Sequence, residues 1–141
     1  MHRVILLGLP LMLWIHCGKG DDGGGGSSPV TCTGKTCACN GGETCDVTEV
    51  CGEANDCSLT CYGESSCSGS CGQSCIVGCD TDASCSVTVG AGGTVGCDPG
   101  SNCQVTCTGS CTLDCGRGAE CKLKCASDAA PRKVTLATSC P

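Results

Sequence analysis

From Cys57 onward the chain alternates inward-type and polar positions in short bursts, and the bursts return at every eighteenth position without insertion or deletion through Asp128. The recurring phrase is Cys-x-apolar-x-Cys, as in Cys103-Gln-Val-Thr-Cys107 and Cys121-Lys-Leu-Lys-Cys125. A period of two places the first, third and fifth positions on one face, so each phrase predicts a short strand that turns two cysteines and one small aliphatic inward. Leu59, Val77, Val95 and Leu113 form the central inward row of one strand set, and Gly69, Val87, Val105 and Leu123 that of the other.

Between the strands, a five-residue connector (62–66, 80–84, 98–102, 116–120) alternates with a three-residue one (72–74, 90–92, 108–110). Both are rich in Gly, Ser, Asp and Asn, the residues that supply turn backbone. A fixed repeat of this length belongs to arrays whose units stack because none buries its own apolar face. The expected fold is therefore all-β: a small disulfide-rich parallel β-solenoid with two short strands per 18-residue coil, the coils about 4.8 Å apart.

The cysteines run in four columns, and the two columns that break do so at Val89 and Gly93, on either side of one three-residue turn. Bridging partners disappear together. Pairing across turns loses one bridge whole, whereas pairing along the columns would leave two columns with an odd count. The expected bridges are Cys61 with Cys67, Cys71 with Cys75, Cys79 with Cys85, Cys97 with Cys103, Cys107 with Cys111 and Cys115 with Cys121, leaving Cys125 for Cys140. A bridge needs Cα atoms within about 7 Å while facing sheets sit near 10 Å, so the coil has to be pinched at its ends. On the chain-entropy account each short loop contributes about 2 kcal/mol. Phe is absent, so the staples take the place of a large aromatic core.

With 141 residues and 21 cysteines the chain is one domain of the oxidised, extracytoplasmic class. Thiolate metal clusters favour Cys-x-Cys, a form that occurs only at Cys37-Ala-Cys39. The net charge of −6 argues against nucleic acid as a partner. The five cations Arg117, Lys122, Lys124, Arg132 and Lys133 gather near the C-terminal end, where lysines are expected to blunt an open sheet edge.

In order, residues 1–16 read as a signal peptide, because Arg3 precedes an apolar run, Val4 to Ile15, too short to span a bilayer. A Gly/Ser-rich tether follows over 17–29, then an N-terminal cap over 30–56 with a strand expected at Asp46 to Val50 and Cys39 in phase with Cys57. The repeat occupies 57–128. A C-terminal cap over 129–141 holds an expected strand at Lys133 to Ala137. The six cysteines Cys32, Cys37, Cys39, Cys45, Cys51 and Cys57 admit 15 pairings. The apolar run ending at Leu13-Trp14-Ile15-His16-Cys17 resembles a bacterial lipoprotein signal, which implies lipidation of Cys17, a membrane partner through the lipid and a place in the cell envelope, at the outer membrane or secreted; an ordinary signal cleaved after Gly18 or Gly20 is the alternative.

Both histidines, His2 and His16, lie in the signal, which removes imidazole-dependent nucleophilic and zinc sites from the rest of the chain. No catalytic residue, enzyme activity or cofactor is expected. Carboxylates remain on the long turns, with Glu64, Asp80, Asp82 and Asp98 as calcium candidates. The 18-residue coil is similar to calcium-binding β-rolls of the toxin-repeat type, and the disulfide-laced repeat resembles the β-helical antifreeze proteins of insects, which implies a flat ice-facing sheet. The expected function is a structural or interaction module of the envelope with an unidentified protein or surface ligand; calcium binding is the alternative and ice binding the third reading.

Overall fold

The computed structural model describes residues 30–52 and 54–141. The signal peptide, Cys17 and the tether lie outside the described residues. The chain forms a β-solenoid of stacked coils of about 18 residues.

The strands are β1 (Val30–Thr33), β2 (Thr36–Cys39), β3 (Thr44–Asp46), β4 (Ser58–Cys61), β5 (Ser66–Cys71), β6 (Ile76–Cys79), β7 (Ser84–Val89), β8 (Gly93–Cys97), β9 (Asn102–Cys107), β10 (Cys111–Cys115), β11 (Glu120–Lys124), β12 (Arg132–Val134) and β13 (Thr138–Cys140). They build two sheets that close against each other. One, sheet A, runs β1-β2-β4-β6-β8-β10-β13, and the other, sheet B, runs β12-β11-β9-β7-β5-β3. From β2 to β10 and from β3 to β11 every pairing is parallel, and within the repeat the register advances by one full period per strand, as in Ser58 opposite Ile76 and Ser66 opposite Ser84. The thin core is the inward row of the sequence. Leu59, Val77, Val95, Val105, Leu113 and Leu123 are fully buried between columns of cysteine sulfur.

Chain reversal covers both ends of sheet A and one end of sheet B, while β3 is the other edge of sheet B. At the N-terminal end β1 folds antiparallel onto β2; at the other end β12 lies antiparallel on β11 and β13 antiparallel on β10. The expected final strand at Lys133 to Ala137 is thus corrected to two short strands in different sheets. One continuous strand could not serve, because the chain must cross from sheet B to sheet A over 135–137 for Cys140 to reach Cys125.

The first coil also departs from expectation. It is longer than a repeat unit by one helical turn, with Thr36 opposite Ser58 and Thr44 opposite Ser66, so Cys39 is in phase with Cys61 rather than Cys57. The additional length forms α1 (Val47–Val50), where the alternation predicts a strand. The cause is local. Asp46 takes the N-cap position and accepts a 2.8 Å hydrogen bond from the Thr48 amide, Glu49 supplies an acid in the first turn, and the Cys51 amide closes the turn on the Val47 carbonyl at 2.8 Å. Val47 enters the core, while Thr48 packs where Gly69 has no side chain. A Cβ on Gly69 would lie 2.9 Å from the Thr48 backbone nitrogen, and its φ of 123° is one that side chains resist.

Candidate functional site

The most extensive chemical feature is the sulfur array. The expected repeat pairs are the pairs found: Cys61–Cys67, Cys71–Cys75, Cys79–Cys85, Cys97–Cys103, Cys107–Cys111 and Cys115–Cys121 are joined across their turns, and Cys125 is joined to Cys140. In the cap, where the sequence leaves every pairing open, the structure joins Cys32–Cys37, Cys39–Cys45 and Cys51–Cys57. The signal that could have found them is spacing. Cys39 to Cys45 has the same separation of 6 as Cys61 to Cys67, so the long-turn bridge already begins in the first coil. Bridging of this density belongs to oxidising compartments, extracellular or within the envelope.

At the exception, Val89 is fully buried and Gly93 is buried beside it. A Cβ built on Gly93 would come within 3.1 Å of Val89 Cβ, so the valine occupies the space a bridge fills elsewhere. Gly92, not Gly93, carries the positive φ of that turn.

The calcium candidates stand on the long turns, each closed by a backbone hydrogen bond from its fourth residue to its first: Ser65 to Tyr62, Ala83 to Asp80, Ser101 to Asp98, all 3.0 Å. Glu64 and Asp82 occupy the third position with φ near 60°, where the neighbouring coils use Gly42, Gly100 and Gly118. Asp80 is engaged locally, its Oδ1 accepting from the Thr81 amide at 2.8 Å. Among the described residues the only three metal-type ligand atoms within 4.8 Å of one another are the sulfurs of Cys107, Cys111 and Cys140, all in bridges. Glu64, Asp80, Asp82 and Asp98 share an edge without converging to that distance.

The outward faces differ. Sheet A presents the column Thr36, Ser58, Ile76, Thr94, Thr112 and Ser139, with Asp114 the sole charge among its strand residues. Sheet B presents Ser68, Ser86, Gln104 and Lys122 in one column and Ser70, Thr88, Thr106 and Lys124 in another. Its lysines do not serve the purpose expected of them. β12 covers β11, so Lys122 and Lys124 lie on an interior strand and blunt no edge; of the three, only Lys133 is on the edge strand. Arg132 turns back toward Asp128, with Nε 3.8 Å from Asp128 Oδ2.

A neutral depression of about 520 Å³ runs beside the short turns. Asn55, from the lobe that the longer first coil builds, forms one wall; Ser70, Gln73, Thr88, Ala91 and Thr108 are among the residues of the facing side. The Asn55 side-chain oxygen accepts from the Gln73 amide at 3.3 Å, which ties the lobe to the repeat. Comparison with protein-family models, with curated proteins and with solved structures finds no match for this chain.

Proposed function

We propose that this protein is a non-catalytic, disulfide-stapled module of the cell envelope, held at a membrane by a lipid on Cys17, whose rigid solenoid presents its flat faces to a structural partner or surface ligand. The observation that carries the reading is the complete pairing of the cysteines from Cys32 to Cys140, a state that oxidising compartments sustain. The lack of histidine after His16 supports a role without acid–base or nucleophilic chemistry. Intact mass spectrometry of protein from the native host tests the whole proposal: the expected species begins at Cys17, carries lipid and resists alkylation at every other cysteine. An unlipidated species cut after Gly18 or Gly20 refutes the anchor; free thiols refute the stapled module.

Calcium binding is the second reading, favoured by the left-handed backbone that sets Glu64 and Asp82 at the same place on successive turns. It ranks lower because covalent staples already close the turns that an ion would close. Ice binding ranks third. The hydroxyls of Thr36, Ser58, Thr94, Thr112 and Ser139 on sheet A support it, but exposed Ile76 interrupts their column and the neighbouring column Ala38, Thr60, Gly78, Gly96 and Asp114 breaks the regular hydroxyl array; thermal hysteresis measures it directly.

A further inference from the structure

The distribution of charge on sheet B is costly unless something compensates it. Lys122 and Lys133 stand directly opposite each other on antiparallel strands, the cross-strand arrangement in which like charges repel. Lys124 lies two positions along the same face from Lys122. None of these three lysines has an ion-pair partner among the described residues, where the cations in salt bridges are Lys35 and Arg132. Edge protection accounts for Lys133 alone. The one carboxylate at the cluster is Glu120, two positions from Lys122 on the same face; it lines a small cleft of about 90 Å³ with Lys122, Lys133 and Asn102 and forms no ion pair with either lysine. From Cys57 to Gly116 the chain has no cation at all, so this cluster is a sharp local reversal on an acidic molecule.

The surface leading to the cluster is equally specific in composition. Along sheet B, Ser68, Ser86 and Gln104 precede Lys122, and Ser70, Thr88 and Thr106 precede Lys124, each step being one strand spacing. From β3 to β11 this track is about 20 Å long, four intervals of about 4.8 Å. Its hydroxyls and amides donate and accept hydrogen bonds without charge. Between Thr44 and Thr106 its only charged outward residue is Asp46, at the far end.

We infer that sheet B is a docking face for an acidic polysaccharide, with Lys122, Lys124 and Lys133 binding its carboxylate or sulfate groups and the Ser/Thr/Gln columns hydrogen-bonding its sugar hydroxyls. An extended glycan fits both halves of the face: it carries hydroxyls along its length, and its rise per sugar is close to the strand spacing. Nucleic acid fits less well, since aromatic stacking platforms are absent from sheet B and the molecule's overall charge opposes a phosphate backbone. This partner rests on the interaction-module reading above and names the ligand for it.

The test uses the oxidised mature chain and titrates it with polygalacturonate and dextran sulfate at low ionic strength, with neutral dextran as the uncharged control. Binding is expected to both charged polymers and not to dextran. The triple variant Lys122→Gln, Lys124→Gln, Lys133→Gln should bind at least about tenfold more weakly, while Lys35→Gln, at the opposite end, should bind as the parent does. The triple variant's thermal midpoint should be equal to the parent's or higher, because a repulsive pair has been removed. Undiminished binding by the triple variant, or no binding of the parent to either charged polymer, overturns the proposal. Tighter binding to duplex DNA or to phosphatidylglycerol vesicles than to either polysaccharide overturns the identity of the ligand. An unretained protein with every bridge intact refutes this inference alone, whereas free thiols would refute the module reading beneath it.

Discussion

The two edges of the solenoid are built from the same residue types and behave differently. On the edge of the long turns every coil is bridged, always with a separation of 6, and the Cα pairs of Cys39–Cys45, Cys61–Cys67, Cys79–Cys85, Cys97–Cys103 and Cys115–Cys121 lie 6.1 to 6.5 Å apart. On the other edge the separations are 6 at Cys51–Cys57, 4 at Cys71–Cys75 and Cys107–Cys111, and 15 at Cys125–Cys140, and one coil has Val89 and Gly93 in place of a bridge. The irregularity of the fold gathers there: the lobe around Asn55, the valine-filled gap and the chain reversal after Cys125. One continuous row of staples holds the coils to a common width, and variation is tolerated on the opposite side because its bridges are not needed to set that width.

The sharpest way to break this comparison is to remove one staple from each edge. Replacing Cys97 and Cys103 by alanine should cost about 4 kcal/mol, combining the lost loop constraint with the space left by two buried sulfurs, as read from denaturant midpoints. Replacing Cys71 with valine and Cys75 with glycine, the pair already used one coil later, should cost only about 2 kcal/mol. Equal losses would show that the edges are equivalent after all.

Next in size is Gly69→Ala, expected to destabilise by about 2 to 3 kcal/mol because the new methyl meets the Thr48 backbone and takes a strained φ. A loss below about 0.5 kcal/mol would mean that α1 moves aside easily and that the lobe is not fixed to the repeat. Restoring the missing bridge with Val89→Cys and Gly93→Cys should stabilise by about 1 kcal/mol, less than the roughly 2 kcal/mol of chain entropy, since the 3.1 Å approach is tighter than the roughly 3.8 Å between the Cβ atoms of a relaxed bridge. Alkylation measures whether the bridge forms, and persistent free thiols would locate the difference between the edges in backbone spacing instead. The smallest effect expected is that of calcium. Millimolar calcium should leave the thermal midpoint nearly unchanged; a large rise abolished by Asp80→Asn with Asp82→Asn would make the long-turn edge an ion site.

The repeat is legible because period-two alternation and regular cysteine columns are signals that survive in a single sequence, and the paired loss at 89 and 93 discloses the bridging rule. Proximity in register misleads at the first coil. Cys39 stands one repeat period before Cys57, yet the interval from Cys45 to Cys51 exceeds that from Cys67 to Cys71, and the interval from Cys51 to Cys57 exceeds that from Cys71 to Cys75, so the phase shifts by one helical turn. Asp46 and Glu49 announce a helix start that the expectation of another strand overrides. The lysines mislead for a different reason: whether a strand is an edge depends on what folds over it, and β12 arrives from a segment outside the repeat.

The connectivity has a consequence for how such a molecule comes into being. Every bridge joins a cysteine to the very next one in the chain, Cys32 with Cys37 through to Cys125 with Cys140. A polypeptide threading amino-terminus first into an oxidising compartment can therefore be sealed pair by pair in order of arrival, with no bond waiting for a distant segment and none needing to be reopened. Oxidation in that order reaches the native set without a long-range step, and reshuffling is needed only where a cysteine joins its strand neighbour, as Cys67 with Cys71, instead of its turn partner.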